Sequence, residues 1–295
     1  MSTQILPTHT RPPATPLARF LSALYERMGV LGLIAIGIVL VVLLGAVLAP
    51  VIAPYDPTVG SVTERYSGMT AAHLLGTDQA GRDILSRLLW GARSSLAGPL
   101  IVVAVTAVLG TLIALVSVWW GGLVDSLLSR VLDLLFAFPN LLLAVLAIAV
   151  FGPSLTTAAL ALSIAYIPYT ARVIRSMALR ERNLPYVQSP QLQGISGVVI
   201  TVRHLLPNIA PLIVTGATIN FGFAMIELAA LSFLGLGVQP PAADWGLMVS
   251  NGQQSLLKGY PAESLLAGLC IMLTVASLGY IGEKLGGRAA AGRKA

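Results

Sequence analysis

The sequence predicts an all-α integral membrane protein with six transmembrane helices. Three observations carry that prediction. The mean hydropathy over 295 residues is +0.84 and only 10% of residues are charged, a balance that excludes a soluble globular chain. Apolar runs of roughly 18 residues or more recur, each long enough to cross a hydrocarbon core of about 30 Å. The charges cluster at the ends of these runs. The formal net charge of +6 therefore reports membrane topology and not nucleic acid.

The elements follow in order. Residues 1–29 form a tail with Pro7, Pro12, Pro13 and Pro16 and no apolar periodicity, and are expected to be flexible. The first span, 30–53, is too long for a signal-peptide core, and Ala49-Pro50-Val51-Ile52-Ala53-Pro54 is a poor cleavage site, so a retained anchor is expected. The remaining spans are 96–119, 126–150, 155–178, 207–236 and 264–283, within a transmembrane domain of residues 30–285 followed by a tail, 286–295. Ahead of span two, residues 82–90 place Ile84, Leu85, Leu88 and Leu89 on one helical face and Arg82, Asp83, Ser86 and Arg87 on another. That pattern predicts an amphipathic helix at the interface anchored by Trp90, the alternative being the start of span two. Pro139 is expected to kink span three and Pro168 to kink span four.

Positive charge sets the orientation. Arg11, Arg19 and Arg27 precede span one; Arg172, Arg175, Arg180, Arg182 and Arg203 lie between spans four and five; Lys284, Arg288, Arg293 and Lys294 follow span six. On an even-span layout these all fall on one side, which the positive-inside rule makes cytoplasmic. Both termini and the loop after span four are expected there. The opposite loops are nearly balanced in charge.

That loop, Arg172 to Asn208, is the longest polar interruption in the chain. Ser189-Pro190 reads as an N-cap followed by proline at the first helical position. Gly194 reads as the residue that closes the helix. The result is a helix of little more than one turn, marginal alone, for which a docking partner is expected.

No chemistry of an enzyme is visible. There is no G-x-x-x-x-G-K-[ST] phosphate loop. His9, His73 and His204 are far apart, and the lone Cys270 excludes an intramolecular disulfide. Three ionisable groups fall inside spans. Arg130 and Asp133 are spaced to pair on one helix face, with a gating role for Asp133 as the alternative. Glu227 lies deep in span five, where an acid faces a bundle interior or water.

At these residues the chain resembles the permease subunits of binding-protein-dependent ABC importers, in particular the C-type subunit of dipeptide, oligopeptide and nickel systems. The stretches that carry the resemblance are His73-Leu-Leu-Gly-Thr-Asp-Gln-Ala-Gly-Arg-Asp-Ile-Leu-Ser-Arg87, Gly91-Ala-Arg-Ser-Ser-Leu96, Asp133-Leu-Leu-Phe-Ala-Phe-Pro139, Arg203-His-Leu-Leu-Pro-Asn208 and Leu231-Ser-Phe-Leu-Gly-Leu-Gly-Val-Gln-Pro-Pro241 ahead of Trp245-Gly246. They lie between His73 and Gly246 in the family's order, and the resemblance covers the chain from about residue 30 to 285. The loop after span four is similar to the family's "EAA" loop. It departs in one place: Gln188-Ser189-Pro190 stands where the family has Glu-Ala-Ala, so no salt bridge from position 188 is expected.

The resemblance implies a type I importer permease fold with a cytoplasmic coupling helix between helices four and five. It implies Tyr186, Gln188, Ser189, Pro190, Leu192, Gly194, Arg203 and His204 as the segment that engages an ATPase. Glu227, Asp133 and Pro139 are the candidates for pathway or gate. The implied partners are a B-type permease subunit, two ATPase domains that bind ATP and Mg, and an extracytoplasmic substrate-binding protein, in the lipid of a bacterial inner membrane. No cofactor or metal is expected in this chain. Peptide is the expected cargo, with nickel, opine, glutathione or haem as alternatives. A self-contained secondary transporter would show internal repeats and several midmembrane polar sites, and these are not evident. A membrane scaffold would have no need of the ordered loop motif.

Overall fold

The computed structural model describes residues 16–291, with side chains described from Met28 to Gly286. Of the expected flexible tail, 1–29, residues 1–15 lie outside the described residues, and the rest is not a tail but the start of a helix that runs from Pro16. The cations at Arg11, Arg19, Arg27, Arg288, Arg293 and Lys294 lie outside the described residues or side chains. Helix α1 spans Pro16–Ile52 and turns sharply at Gly29, where the apolar run begins. The other long helices are α2 (Ile84–Trp120), α5 (Leu155–Arg182), α8 (Leu206–Phe233) and α10 (Ala262–Ala291). Between α2 and α5 lie α3 (Gly122–Phe136) and α4 (Asn140–Phe151); between α5 and α8 lie α6 (Pro185–Leu192) and α7 (Gly197–Ile200); α9 (Trp245–Leu257) precedes α10. Among the described residues five segments are each long and apolar enough to cross a membrane, and α3 with α4, bent by 82°, is the sixth when the pair is taken as one broken span. The expected all-α, six-segment membrane fold is what the chain adopts.

The axis of the bundle is the α2–α5 seam, the most extensive contact between elements. Small residues permit it. Ala114, Ala158, Ala159, Ala161, Ala165, Ala171 and Ala178 are buried, and a β-carbon at Gly110 would lie 2.9 Å from a Thr170 methyl. In a membrane, where apolar side chains gain little by leaving lipid, such close backbone approach supplies the packing energy. The outside is correspondingly apolar: Val41, Val47 and Val51 of α1 are exposed.

At about 1.5 Å per residue, the 37 residues of α2 reach roughly 55 Å, well beyond the hydrocarbon thickness. The excess explains one correction. Residues 82–90 do not form a separate interfacial helix: they are the end of the preceding loop and the first turns of α2, capped by Asp83, whose side chain accepts from the Ser86 amide. Both faces of this segment are covered. Ile84 and Leu88 are buried, and so are Ser86 and Arg87 on the polar face. The folded loop 53–83 and Trp245 supply the cover, with the indole Nε1 donating to the Leu88 carbonyl at 2.9 Å.

Pro139 does more than kink its span. It ends the turn after α3 in extended geometry and becomes the N-cap of α4, because its nitrogen carries no proton to continue the helical ladder. α5, by contrast, continues as one helix through Pro168. Span five begins earlier than expected, through α7 and a π turn, Thr201–Leu205, before α8. Pro207 and Pro211 lack the amides that a regular ladder would use there. α9 was not expected at all.

Candidate functional site

Two regions gather the residues singled out in the sequence. The first is α6 and the turn after it. Leu184 is the N-cap and Pro185 the first helical residue, so Ser189 and Pro190 lie inside the helix. The expected start at Ser189 is thus wrong by more than a turn, and α6 has eight residues. The helix begins early because tertiary contacts hold its first turn: Val187 is fully buried, and the Tyr186 hydroxyl donates to the Glu181 carboxylate.

The end of α6 is as expected. Gly194 has φ +77. The Gly194 amide donates to the Gln191 carbonyl and the Ile195 amide to the Pro190 carbonyl, each at 3.1 Å. This pair of bonds is the Schellman arrangement, which satisfies two otherwise orphaned carbonyls and needs a left-handed residue at the first position past the cap. Gln188, Ser189, Gln191 and Leu192 are exposed, Leu192 at 89%. α6 therefore presents a polar face with one apolar knob and keeps its anchor on the opposite side. Arg203 is exposed and His204 half-buried in the π turn, one segment further on.

Sequence reasoning missed how this region is fastened to the bundle. A β-carbon at Gly197 would lie 1.7 Å from the Trp119 ring. The Arg182 guanidinium stacks on that ring at 5.3 Å and donates to the Val118 carbonyl. The Arg175 Nε donates to Asp125 Oδ1 at 2.7 Å and to Ser117 Oγ at 2.9 Å. The α2–α3 turn, made by Gly121 and Gly122 at φ +60 and +50, is thereby locked to α5.

The second region is an open cavity of about 640 Å³ on the side of the bundle, lined in part by Pro139, Asn140, Tyr166, Asn220 and Glu227, with Phe136, Phe138, Tyr169 and Phe223 of its lining exposed. The structure brings Pro139 and Glu227 together here. Asn140 and Tyr166 approach the Glu227 carboxylate, while Glu227 Oε2 is shielded and has no hydrogen-bond partner. Asp133 does not line the cavity. Nor does it pair with Arg130: it pairs with Arg172 of α5, whose guanidinium also lies over Phe136 at 4.6 Å. The expectation of an i, i+3 pair within α3 fails because a cross-helix cation was available.

A third cluster lies in the His73–Arg87 stretch that carried the resemblance, but its internal pairing had no sequence signal. Asp78 accepts from Arg82 Nε at 2.7 Å and lies 3.4 Å from Arg87 Nε, with Arg87 and Asp78 side chains fully buried. His73 Nδ1 and Asp83 Oδ1 are 2.9 Å apart. Arg87 Nη1 donates to the Pro57 carbonyl at 2.9 Å. These bonds hold loop 53–83 as a folded cap on α2. Beside it, Asp244 caps α9: its side chain accepts from the Leu247 amide at 3.1 Å and from Ser95 Oγ at 2.8 Å. Burial pushes the Asp244 carboxyl above the usual carboxylate range, and these hydrogen bonds work against that shift. Among the described residues no group of three His, Cys, Asp or Glu could hold a metal ion.

A helical bundle with a capped loop helix at one end and a cavity at a broken span defines a polytopic membrane permease. The chain belongs to the family described as the binding-protein-dependent transport system inner membrane component, which matches residues 106–285. It is 36% identical to the dipeptide transport system permease protein DppC of Haemophilus influenzae, covering 92% of this chain and 94% of that one. It is 37% identical to DppC of Alkalihalophilus pseudofirmus, covering 88% and 84%. The glutathione transport system permease protein GsiD of Pectobacterium atrosepticum is 36% identical, covering 80% and 79%. Among solved structures, an inward-facing conformation of the MetNI methionine ABC transporter matches with a TM-score of 0.55 at 20% identity, covering 69% of this chain and 96% of that one. This last likeness is one of fold.

Proposed function

We infer that this chain is a permease subunit of an ATP-driven peptide importer and forms half of the translocation pathway. The observation that carries the reading is α6: a short helix with a buried anchor, a closed C-terminus and an exposed outer face, set in the most basic loop of the chain. It is the coupling helix, through Tyr186, Gln188, Ser189, Pro190, Leu192 and Gly194, with Arg203 and His204 behind it. The cation distribution supports placing α6 and both termini in the cytoplasm of a bacterial cell and loop 53–83 outside. The dipeptide names of the DppC relatives support peptide as cargo.

On this reading the chain hydrolyses nothing itself. ATP and Mg belong to two partner ATPase domains; a B-type permease subunit supplies the other half of the path, and an extracytoplasmic binding protein delivers the cargo. Glu227 and Pro139 belong to the pathway. Asp133 acts at one remove, by holding α3 to Arg172.

Co-expression with candidate partners, purification in mild detergent and identification of the associated chains and ligand test the assignment. The assembled complex should hydrolyse ATP and import peptide in proteoliposomes. Robust hydrolysis by the rigorously purified chain alone would sink the reading.

A further inference from the structure

We propose that the cavity at the α3–α4 break is a subsite for a primary ammonium group on the cargo, with Glu227 as its counter-charge. The inference rests on the importer reading and adds the chemistry that the pathway recognises. The cavity, about 640 Å³, falls in the size range of small-ligand sites and is open on one side, where Phe136, Phe138, Tyr169 and Phe223 are exposed. Its lining holds one carboxylate and no Lys, Arg or His. Arg172, which stacks on Phe136 of the cavity wall, is already paired with Asp133.

The carboxylate has no cation beside it. Asn140 and Tyr166 hydrogen-bond to it, but Glu227 Oε2 has no hydrogen-bond partner, and an ionised group inside a span favours a cation as its partner. The rest of the wall suits an organic cation. Tyr166, Tyr169, Phe138 and Phe223 line the cavity, and the negative quadrupole of an aromatic face attracts an ammonium. Asn140 and Asn220 offer amide oxygens as acceptors. A hard divalent metal is a poor fit, since it would want six or more oxygen ligands, usually with more than one carboxylate.

The break itself makes room. Non-helical backbone at membrane depth is tolerated where it lines a cavity, and Phe136 to Asn140 does so here. Dipeptides and glutathione, the cargoes named for the relatives, all carry a free primary ammonium.

The test uses the assembled complex in nanodiscs without its binding protein, so that selection at the permease is read alone. The probes are trialanine, trialanine amide and N-acetyl-trialanine, measured by calorimetry. Acetylation removes the charge and should weaken binding to the parent roughly tenfold or more, whereas the amide should bind like trialanine. Glu227→Gln should lower affinity for both ammonium probes to the level of the acetylated one and leave the acetylated probe unchanged. Glu227→Asp, which keeps the charge, should retain most of the discrimination. Size-exclusion of each complex controls for assembly. The proposal is overturned if Glu227→Gln binds trialanine like the parent, if it loses all three probes equally, if the parent ignores acetylation, or if no probe binds. A parent complex that imports peptide yet shows any of these results removes the subsite alone. A parent that imports no peptide removes the importer reading as well.

Discussion

Gly194 offers the sharpest perturbation because its cost can be worked from two numbers. Its φ is +77, and a β-carbon there would meet nothing within 4 Å. Within this chain a substitution therefore pays a conformational penalty only. For alanine in the left-handed region that is about 1–2 kcal/mol, which is a roughly five- to thirtyfold loss of the capped conformation over its alternatives. Asparagine enters that region more readily than most residues and should cost less. Valine, branched at the β-carbon, should cost more. Both Schellman bonds, from the Gly194 and Ile195 amides, depend on the conformation, so the whole C-terminus of α6 responds. The assay is cargo imported per ATP hydrolysed, by the complete complex in proteoliposomes. Coupling should fall in the order Gly194, then Asn, Ala and Val, with membrane insertion unchanged. Gln188→Ala should be mild, since no charge is lost. If Gly194→Val couples like the parent, or Gln188→Ala does more damage, α6 is not the coupling helix. If instead Asn is as harmful as Val, side-chain bulk in a partner's groove controls the step and the backbone argument fails.

Two further predictions concern the packing around the sites. Asp244→Asn should be nearly neutral in thermal stability at neutral pH and Asp244→Ala destabilising by about 1–2 kcal/mol, since Asn can still cap α9 whereas Ala leaves the Leu247 amide bare. Because burial raises the Asp244 carboxyl, the folded chain holds its proton to higher pH than the unfolded chain, so this group's contribution to stability falls as pH rises between the two values. Asp244→Asn should flatten that slope in melting curves, and an unchanged slope refutes the assignment. Gly197→Ala should displace the Trp119 ring, which a β-carbon would meet at 1.7 Å, at a cost of about 1–3 kcal/mol for overpacking. Trp119→Leu alone measures the loss of the Arg182 stacking, and Gly197→Ala added to it should lower the melting temperature little further; a full further loss would show that the strain lies elsewhere.

The spans were legible because hydropathy is a property of sequence alone, and a hydrocarbon solvent leaves few other solutions. The errors came where a third element decided between local options. Leu184-Pro185 and Ser189-Pro190 both look like helix starts. The buried Val187 and the Tyr186–Glu181 contact chose the first, and neither is a local signal. Asp133 had Arg130 at helical spacing, but Arg172, distant in sequence, took it. Residues 82–90 have the amphipathic period expected of them; the pattern was right and the environment was wrong, because loop 53–83 and not water covers the polar face. α9 was missed for its length, 13 residues, too short for a span. Yet Asp244 before Trp245 is an N-cap signal that could have found it. Of the candidate site, Gly194 was readable from its spacing and Glu227 from its depth. The grouping of Glu227 with Asn140, Tyr166 and Pro139 was not, because it depends on how sharply Pro139 turns the chain.

The pairings across α5 decide what a displacement of α6 would do. α6 is tied to α5 through Tyr186 and Glu181. Arg172 and Arg175, three residues apart and so on one face of α5, hold Asp133 and Asp125 of α3. With both ends of α3 pinned, it cannot rotate against α5 without breaking one of the pairs. A rigid-body shift of α5 therefore carries α3 with it as far as Phe136. Beyond that point no α-helical ladder continues, since Pro139 has no amide to offer. α4 packs against α5 as well, so both sides of the break at Phe136 to Asn140 follow that shift. On the coupling reading, the displacement is taken up between α5 and α8, the helices that carry Tyr166 and Glu227 of the cavity lining.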